Sequence, residues 1–147
     1  MIEERTGDLF AQTDLKALAH GCNCAGAMGK GIAVGFKERY PQMYKFYQSF
    51  CRAGAAPGDV FPYYDRDTDV VIYNLMTQRH WTTPATLEAI EDSIATMMTM
   101  LQDIRIKKVG MPKIGCGLGG LDWKDVLPVL ESHSNGYDIT IVVVSLP

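Results

Sequence analysis

Short β-like runs alternate along the chain with segments in which apolar positions recur every three or four residues. The runs fall at residues 2–5, 17–22, 60–64, 70–76, 108–111 and 139–144, each of strand length and bounded by turn-forming residues. Between them, Leu87, Ile90, Ile94, Met97, Met98 and Leu101 share one helical face. Thr83 is placed to cap that helix, Pro84 to occupy its first position, and Glu88, Glu91 and Asp92 to meet the positive end of its dipole. Ile32, Phe36 and Tyr40 mark an earlier helix that breaks near Pro41, and Met43, Tyr44, Tyr47, Phe50 and Cys51 mark the next. Trp123, Val126, Leu127 and Leu130 mark a last helix capped by Asp122, with Pro128 an obstacle inside it.

Strands alternating with helices predict an α/β fold, with helices on both faces of a mixed sheet of about six strands. With 147 residues, 47% of them hydrophobic, the chain can close one sizeable core and is expected to form a single domain over residues 1–147. A net charge of -3 without runs of like charge argues against a broad basic face for nucleic acid or anionic membrane. No apolar stretch approaches the length of a membrane span. The opening residues carry Glu3, Glu4, Asp8 and Asp14 where a secretory signal would be basic and then apolar, so Cys22, Cys24, Cys51 and Cys116 are expected as thiols in a cytoplasmic protein. His20, Cys22 and Cys24 could share one face of a strand, but no fourth ligand completes a zinc site, and neither a metal nor a cofactor is expected.

Ten of the 14 glycines fall in two windows, residues 21–35 and 110–120. Each window follows a predicted strand and leads toward a predicted helix, the place where α/β sheets bind ligands. Glycine there permits close backbone approach, and free N–H groups attract anions. Two such turns at one sheet edge suit an extended ligand carrying a diphosphate. Neither window has the dinucleotide-binding spacing, and Gly29-Lys30-Gly31 lacks the hydroxyl that would complete a magnesium-holding phosphate loop.

Three segments, Gly7-Asp8-Leu9-Phe10, His20 to Ile32 and Met111 to Trp123, together resemble the macro domain family in order and spacing. The resemblance implies a three-layer α/β/α fold and ADP-ribose, or a derivative of it, as ligand. It lies nearest the branch of terminal ADP-ribose glycohydrolases, DNA-ADP-ribose glycohydrolase antitoxins and ADP-ribose 1''-phosphate phosphatases. Carried over by position, Asp8 and Leu9 are expected near the adenine and Asn23 beside the terminal ribose. Met28, Gly29, Lys30, Gly31 and Ile32 are expected under the diphosphate and terminal ribose, Gly115, Cys116, Gly117, Leu118 and Gly119 form the second phosphate loop, and Thr77 lines the site. Asp8 could equally cap a turn, and Asn23 could equally close an Asx turn.

The resemblance breaks at two positions. Gln78 stands where the protein-directed glycohydrolases of this branch carry a lysine nucleophile, and Gly119 stands where they carry a carboxylate. The antitoxin-like enzymes share the Arg79-His80-Trp81 run, and the phosphatases share the His20 to Gly26 pattern. His20, Asn23 and His80 are therefore the catalytic candidates, with His20 either a near-neutral acid or nucleophile or a buried, satisfied ring. The expectation is a hydrolase acting on the terminal ribose, with ADP-ribose 1''-phosphate the favoured substrate. Removal of ADP-ribose from protein or nucleic acid, and binding without turnover, are the alternatives. The chain is expected to be a monomer that does not bind membrane.

Overall fold

In a computed structural model that describes all 147 residues, six strands form one sheet in the order β1 (Ile2–Thr6), β6 (Thr140–Ser145), β5 (Lys108–Met111), β2 (Ala17–Asn23), β4 (Val70–Gln78) and β3 (Val60–Asp65). All neighbours run parallel except β3, which pairs antiparallel to β4 at one edge. Helices α1 (Ile32–Arg39) and α2 (Pro41–Arg52) cover one face, and α3 (Leu87–Asp103) and α4 (Trp123–Tyr137) cover the other. This is the three-layer mixed-sheet architecture that the alternating pattern predicts.

The period of two along each strand divides the core. Ala17 and Ala19 of β2, Tyr73 and Leu75 of β4, and Ile141 and Val143 of β6 pack with Ile90, Ile94 and Met97 of α3. Their neighbours Leu18 and Cys22, Ile72 and Met76, and Val142 and Val144 pack on the other side with Phe36, Met43 and Tyr47. Each large apolar side chain buried this way contributes about 1.5–3 kcal/mol against the entropy of ordering the chain.

One helix end differs from its predicted position. The cap of α3 is Thr86, not Thr83: extended at φ −122° and ψ 147°, Thr86 accepts the Ala89 N–H at 3.1 Å. Thr83 is occupied one turn earlier, its hydroxyl donating to His80 O at 3.0 Å, and Pro84 lies in the intervening loop. Helix α4 begins at its predicted cap, where Asp122 accepts the Lys124 N–H at 3.1 Å, but it passes through Pro128 and ends at Tyr137. Pro128 is on the exposed face, so the lost backbone bond falls on the solvent side while Val126, Leu130 and Ser134 keep the buried stripe.

The buried polar residues His20 and Asn74 sit on the α1 side of adjacent strands. Asn74 Nδ2 donates to Phe61 O at 3.0 Å, which leaves Oδ1 as an acceptor, and His20 donates to it from Nε2 at 2.7 Å. The imidazole stacks on Phe36 with centroids 3.9 Å apart, and no part of His20 reaches solvent. Burial pushes its pKa down to about 4, although the bond to Asn74 favours the charged form. An unfolded histidine titrates near 6.5, at about the pH where the difference begins. Between those values the unfolded chain holds a proton that the folded chain refuses, so stability falls as pH falls. In urea titrations, lowering the pH from about 7 to about 4.5 should cost the wild type about 2 kcal/mol more than it costs His20→Gln. Equal losses in the two proteins would contradict an enclosed, neutral His20.

Candidate functional site

Strands β2 and β5 are parallel neighbours at the centre of the sheet, but their chains leave in opposite directions. After β2 the chain turns to α1 and onward to β3 and β4, and after β5 it turns to α4 and β6. The divergence opens a crevice at the carboxyl ends of the strands. A cavity of about 610 Å³ fills it, bounded by the loops after β2, β4 and β5.

The first wall is the turn into α1. Gly31 occupies the N-cap at φ 63° and ψ −151°, a conformation that disfavours a side chain, and nothing caps the helix start. The N–H groups of Ile32 and Ala33 have no carbonyl one turn back and no other partner in the protein, so they stay open to an anion at the cavity. Asn23 shapes the approach to this turn. Its Oδ1 accepts the Ala25 and Ala27 N–H groups at 3.0 and 3.2 Å and the Tyr47 hydroxyl at 3.1 Å, while Nδ2 donates to Ala27 O at 2.9 Å. It is the Asx-type closure that this residue type allows, and it borders the cavity.

The second wall is the turn after β5. The Leu121 N–H donates to Gly115 O at 2.9 Å and the Ala85 N–H to Gly119 O at 2.9 Å, tying the turn to itself and to the loop before α3. A Cβ on Gly119 would lie 2.6 Å from Gly115 O, and one on Gly115, whose φ is +77°, would lie 2.6 Å from Ile90 Cδ1. The turn therefore closes only with glycine at both places. The N–H groups of Gly117, Leu118 and Gly119 have no partner in the protein, and these three residues line the cavity. Leu118 extends toward the first turn, with its Cδ1 3.6 Å from the position a Gly31 Cβ would take.

The third wall follows β4. Thr77 is buried and its hydroxyl donates to Cys22 O at 3.5 Å. Gln78 donates from Nε2 to His80 O at 3.0 Å and Thr83 O at 2.7 Å, leaving Oε1 as its free acceptor. Trp81 stands at the rim, 54% exposed. The ionisable groups on the lining are Cys22, Lys30 and Lys113; there is no carboxylate and no imidazole. Burial holds the Cys22 thiol well above its ordinary pKa, which keeps it protonated and unreactive. Lys30 and Lys113 are exposed and form no salt bridge.

Of the residues expected at a site, Asn23, Met28, Gly29, Lys30, Gly31, Ile32, Thr77, Gly115, Gly117, Leu118 and Gly119 come together on this cavity. Five others are not on its lining. His20 is on the β2 face beneath α1, enclosed by Phe36 and Asn74. His80 lies behind Trp81, with Nδ1 accepting the Thr82 N–H at 3.2 Å. Asp8 is exposed and accepts the Phe10 N–H at 2.9 Å, capping the 3-10 turn Leu9–Ala11. Leu9 is in the core, and Cys116 packs against the α3 side. Lys113, Ala33 and Gly21 join the lining without having been singled out. For Gly21 the reason is steric, because a Cβ would come within 2.9 Å of Thr77 Oγ1.

The Macro domain family model matches residues 19–130. The DNA ADP-ribosyl glycohydrolase of Mycobacterium tuberculosis is 38% identical over 129 residues, which cover 86% of this chain and 36% of that protein. The chain thus spans about a third of that relative's length. An ADP-ribose 1''-phosphate phosphatase of Aspergillus fumigatus is 51% identical over 51 residues, 35% of this chain and 26% of that protein. Among solved structures, the macrodomain of Mycobacterium tuberculosis DarG superposes with a TM-score of 0.91 at 35% identity, covering 100% of this chain and 98% of that one. Thermosipho africanus DarTG in complex with ADP-ribose gives 0.83 at 27% identity, covering 96% and 40%. With most of its length matched by the family model and its whole fold shared with a solved macrodomain, the chain belongs to the macro domain family.

Proposed function

We propose that the cavity binds ADP-ribose and that the domain hydrolyses the bond joining its terminal ribose to a nucleic-acid acceptor. The observation that carries the ligand is the convergence of unpartnered N–H groups, at Ile32–Ala33 and at Gly117–Gly119, on one cavity of about 610 Å³. Two backbone cradles facing one space hold a diphosphate from both sides, and Lys30 and Lys113 at the mouth add positive charge. Asp8, with one carboxylate oxygen on the Phe10 N–H, keeps the other free to accept from an adenine amino group. The similarity to a DNA ADP-ribosyl glycohydrolase over 86% of the chain supports the acceptor.

The 1''-phosphate substrate, favoured by the sequence, leaned on His20 and on the segment around it. With its ring enclosed and its pKa lowered to about 4, His20 has neither access to the cavity nor a proton to donate near neutrality. Attack at the anomeric carbon falls instead to water. In the proposed complex that carbon faces Gln78, whose Oε1 holds a water against it. Water adds at the anomeric carbon, the bond to the acceptor breaks with its electron pair staying on the acceptor atom, which takes a proton from solvent, and the attacking water's proton passes to solvent. An amide can position water but cannot form a covalent link to the sugar, and the lining supplies no carboxylate or imidazole base. Turnover is therefore slow. Binding without turnover is the second reading, favoured by glutamine in place of a nucleophile.

Single-turnover release of ADP-ribose from ADP-ribosylated single-stranded DNA tests the reaction. Gln78→Lys should raise the rate about tenfold or more and Gln78→Ala should lower it by a similar factor. Binding without release by either the wild type or Gln78→Lys selects the second reading, and phosphate release from ADP-ribose 1''-phosphate at a higher rate than DNA cleavage contradicts the acceptor. Gly119→Ala tests the ligand. By forcing the second turn off Gly115 O it should weaken ADP-ribose binding about tenfold in calorimetry while leaving the circular dichroism of the fold intact. Unchanged affinity would contradict the second cradle.

A further inference from the structure

We propose that Trp81 is a stacking platform for the nucleobase that carries the ADP-ribosyl group, making the site selective for single-stranded nucleic acid over protein. The inference rests on the ligand and reaction proposed above and adds the residue that reads the acceptor. Of the chain's two tryptophans, Trp123 lies against the core beside α3, whereas Trp81 is 54% exposed at the cavity rim. Phe46 and Tyr64 are as exposed, but of the three rings Trp81 alone lines the cavity, where the flat ring of a ligand can cover it.

The turn that carries Trp81 is braced for presentation. Gln78 Nε2 donates to His80 O and Thr83 O, the Thr83 N–H donates back to His80 O at 3.1 Å, and the His80 N–H donates to Thr83 Oγ1 at 3.2 Å. Because a backbone N–H from Thr82 donates to His80 Nδ1, that nitrogen is the acceptor and the imidazole is held in place. Its ring lies 3.7 Å from the indole, centroid to centroid, at 31°. His80 thus backs one side of Trp81, and the exposure of the residue belongs to the remaining face and edge.

Charge on the same cavity fits the same occupant. Lys30 and Lys113 line it with Trp81 and form no salt bridge, although the chain as a whole carries -3. Cations and an open aromatic face on one cavity match the alternating phosphates and bases of a single strand. A base must be unpaired both to lie on the indole and to let its linked ribose enter the cavity. A carboxylate, serine or lysine side chain attached to the sugar in a modified protein offers neither a flat ring nor a phosphate.

The test compares three ligands on the wild type, Trp81→Ala and Trp81→Phe: free ADP-ribose, an ADP-ribosylated single-stranded DNA oligonucleotide and an ADP-ribosylated peptide. For Trp81→Ala the ratio of oligonucleotide affinity to free ADP-ribose affinity should fall about tenfold, with Trp81→Phe retaining most of it and the peptide ratio unmoved. Equal losses for all ligands would overturn the proposal by making Trp81 part of the ADP-ribose pocket itself, and an unchanged oligonucleotide ratio would overturn it outright. A peptide ratio that falls as far as the oligonucleotide ratio would overturn the selectivity. A wild type that binds free ADP-ribose while Trp81→Ala shows any of these outcomes leaves the ligand standing, whereas a wild type that binds none of the three overturns both.

Discussion

The close parallel pairing of β2 with β5, in register at Leu18 and Gly110, is the constraint from which the site follows. Gly110 has no room for a side chain, because Leu9, Leu15 and Leu18 occupy the space a Cβ would need. That contact draws the loop after β1 under the central strands and brings the ends of β2 and β5 side by side. Since the two strands send their chains to opposite halves of the sheet, the turns that leave them diverge. A crevice between them is the topological consequence.

What fills the crevice is backbone. The turn into α1 and the turn after β5 both leave N–H groups without partners, and in both the side chains that could have satisfied or covered them are absent. Positive charge from Lys30 and Lys113 is confined to the mouth, and acids are excluded from the lining. Such a site is built for an anion along its length and supplies little acid–base chemistry of its own. The β4 turn adds Gln78 at the wall and Trp81 at the rim, held by one set of hydrogen bonds running from Gln78 to Thr83.

Periodicity made the layers legible. Alternation along β2, β4 and β6 assigns each residue to one face, and the glycine windows locate both turns at the carboxyl edge. Less was legible where two local solutions compete. Thr83 and Thr86 are both competent caps, and the choice was made by Thr83 bonding back to His80, a contact invisible in the spacing. His20 and Asn23 are three residues apart, yet one lies beneath α1 and the other borders the cavity. Position along β2 decides this, because Cys22, on the same parity as His20 but nearer the strand end, already lines the cavity. Cys116 shares its turn with four lining residues but points into the α3 side. Turn geometry, not sequence neighbourhood, decides such cases. Trp81 carried a weak signal, an aromatic residue in a loop just past a strand end, that exposure alone could sharpen.

A crystal structure with ADP-ribose is the most direct measurement of the central claim, that two unpartnered backbone turns at the β2–β5 divergence hold a diphosphate. The account predicts one phosphate within hydrogen-bonding distance of the Ile32 and Ala33 N–H groups, the other on Gly117–Gly119, and the anomeric carbon toward Gln78. A diphosphate held by Lys30 and Lys113 at the rim, with both turns empty of ligand contacts, would contradict it.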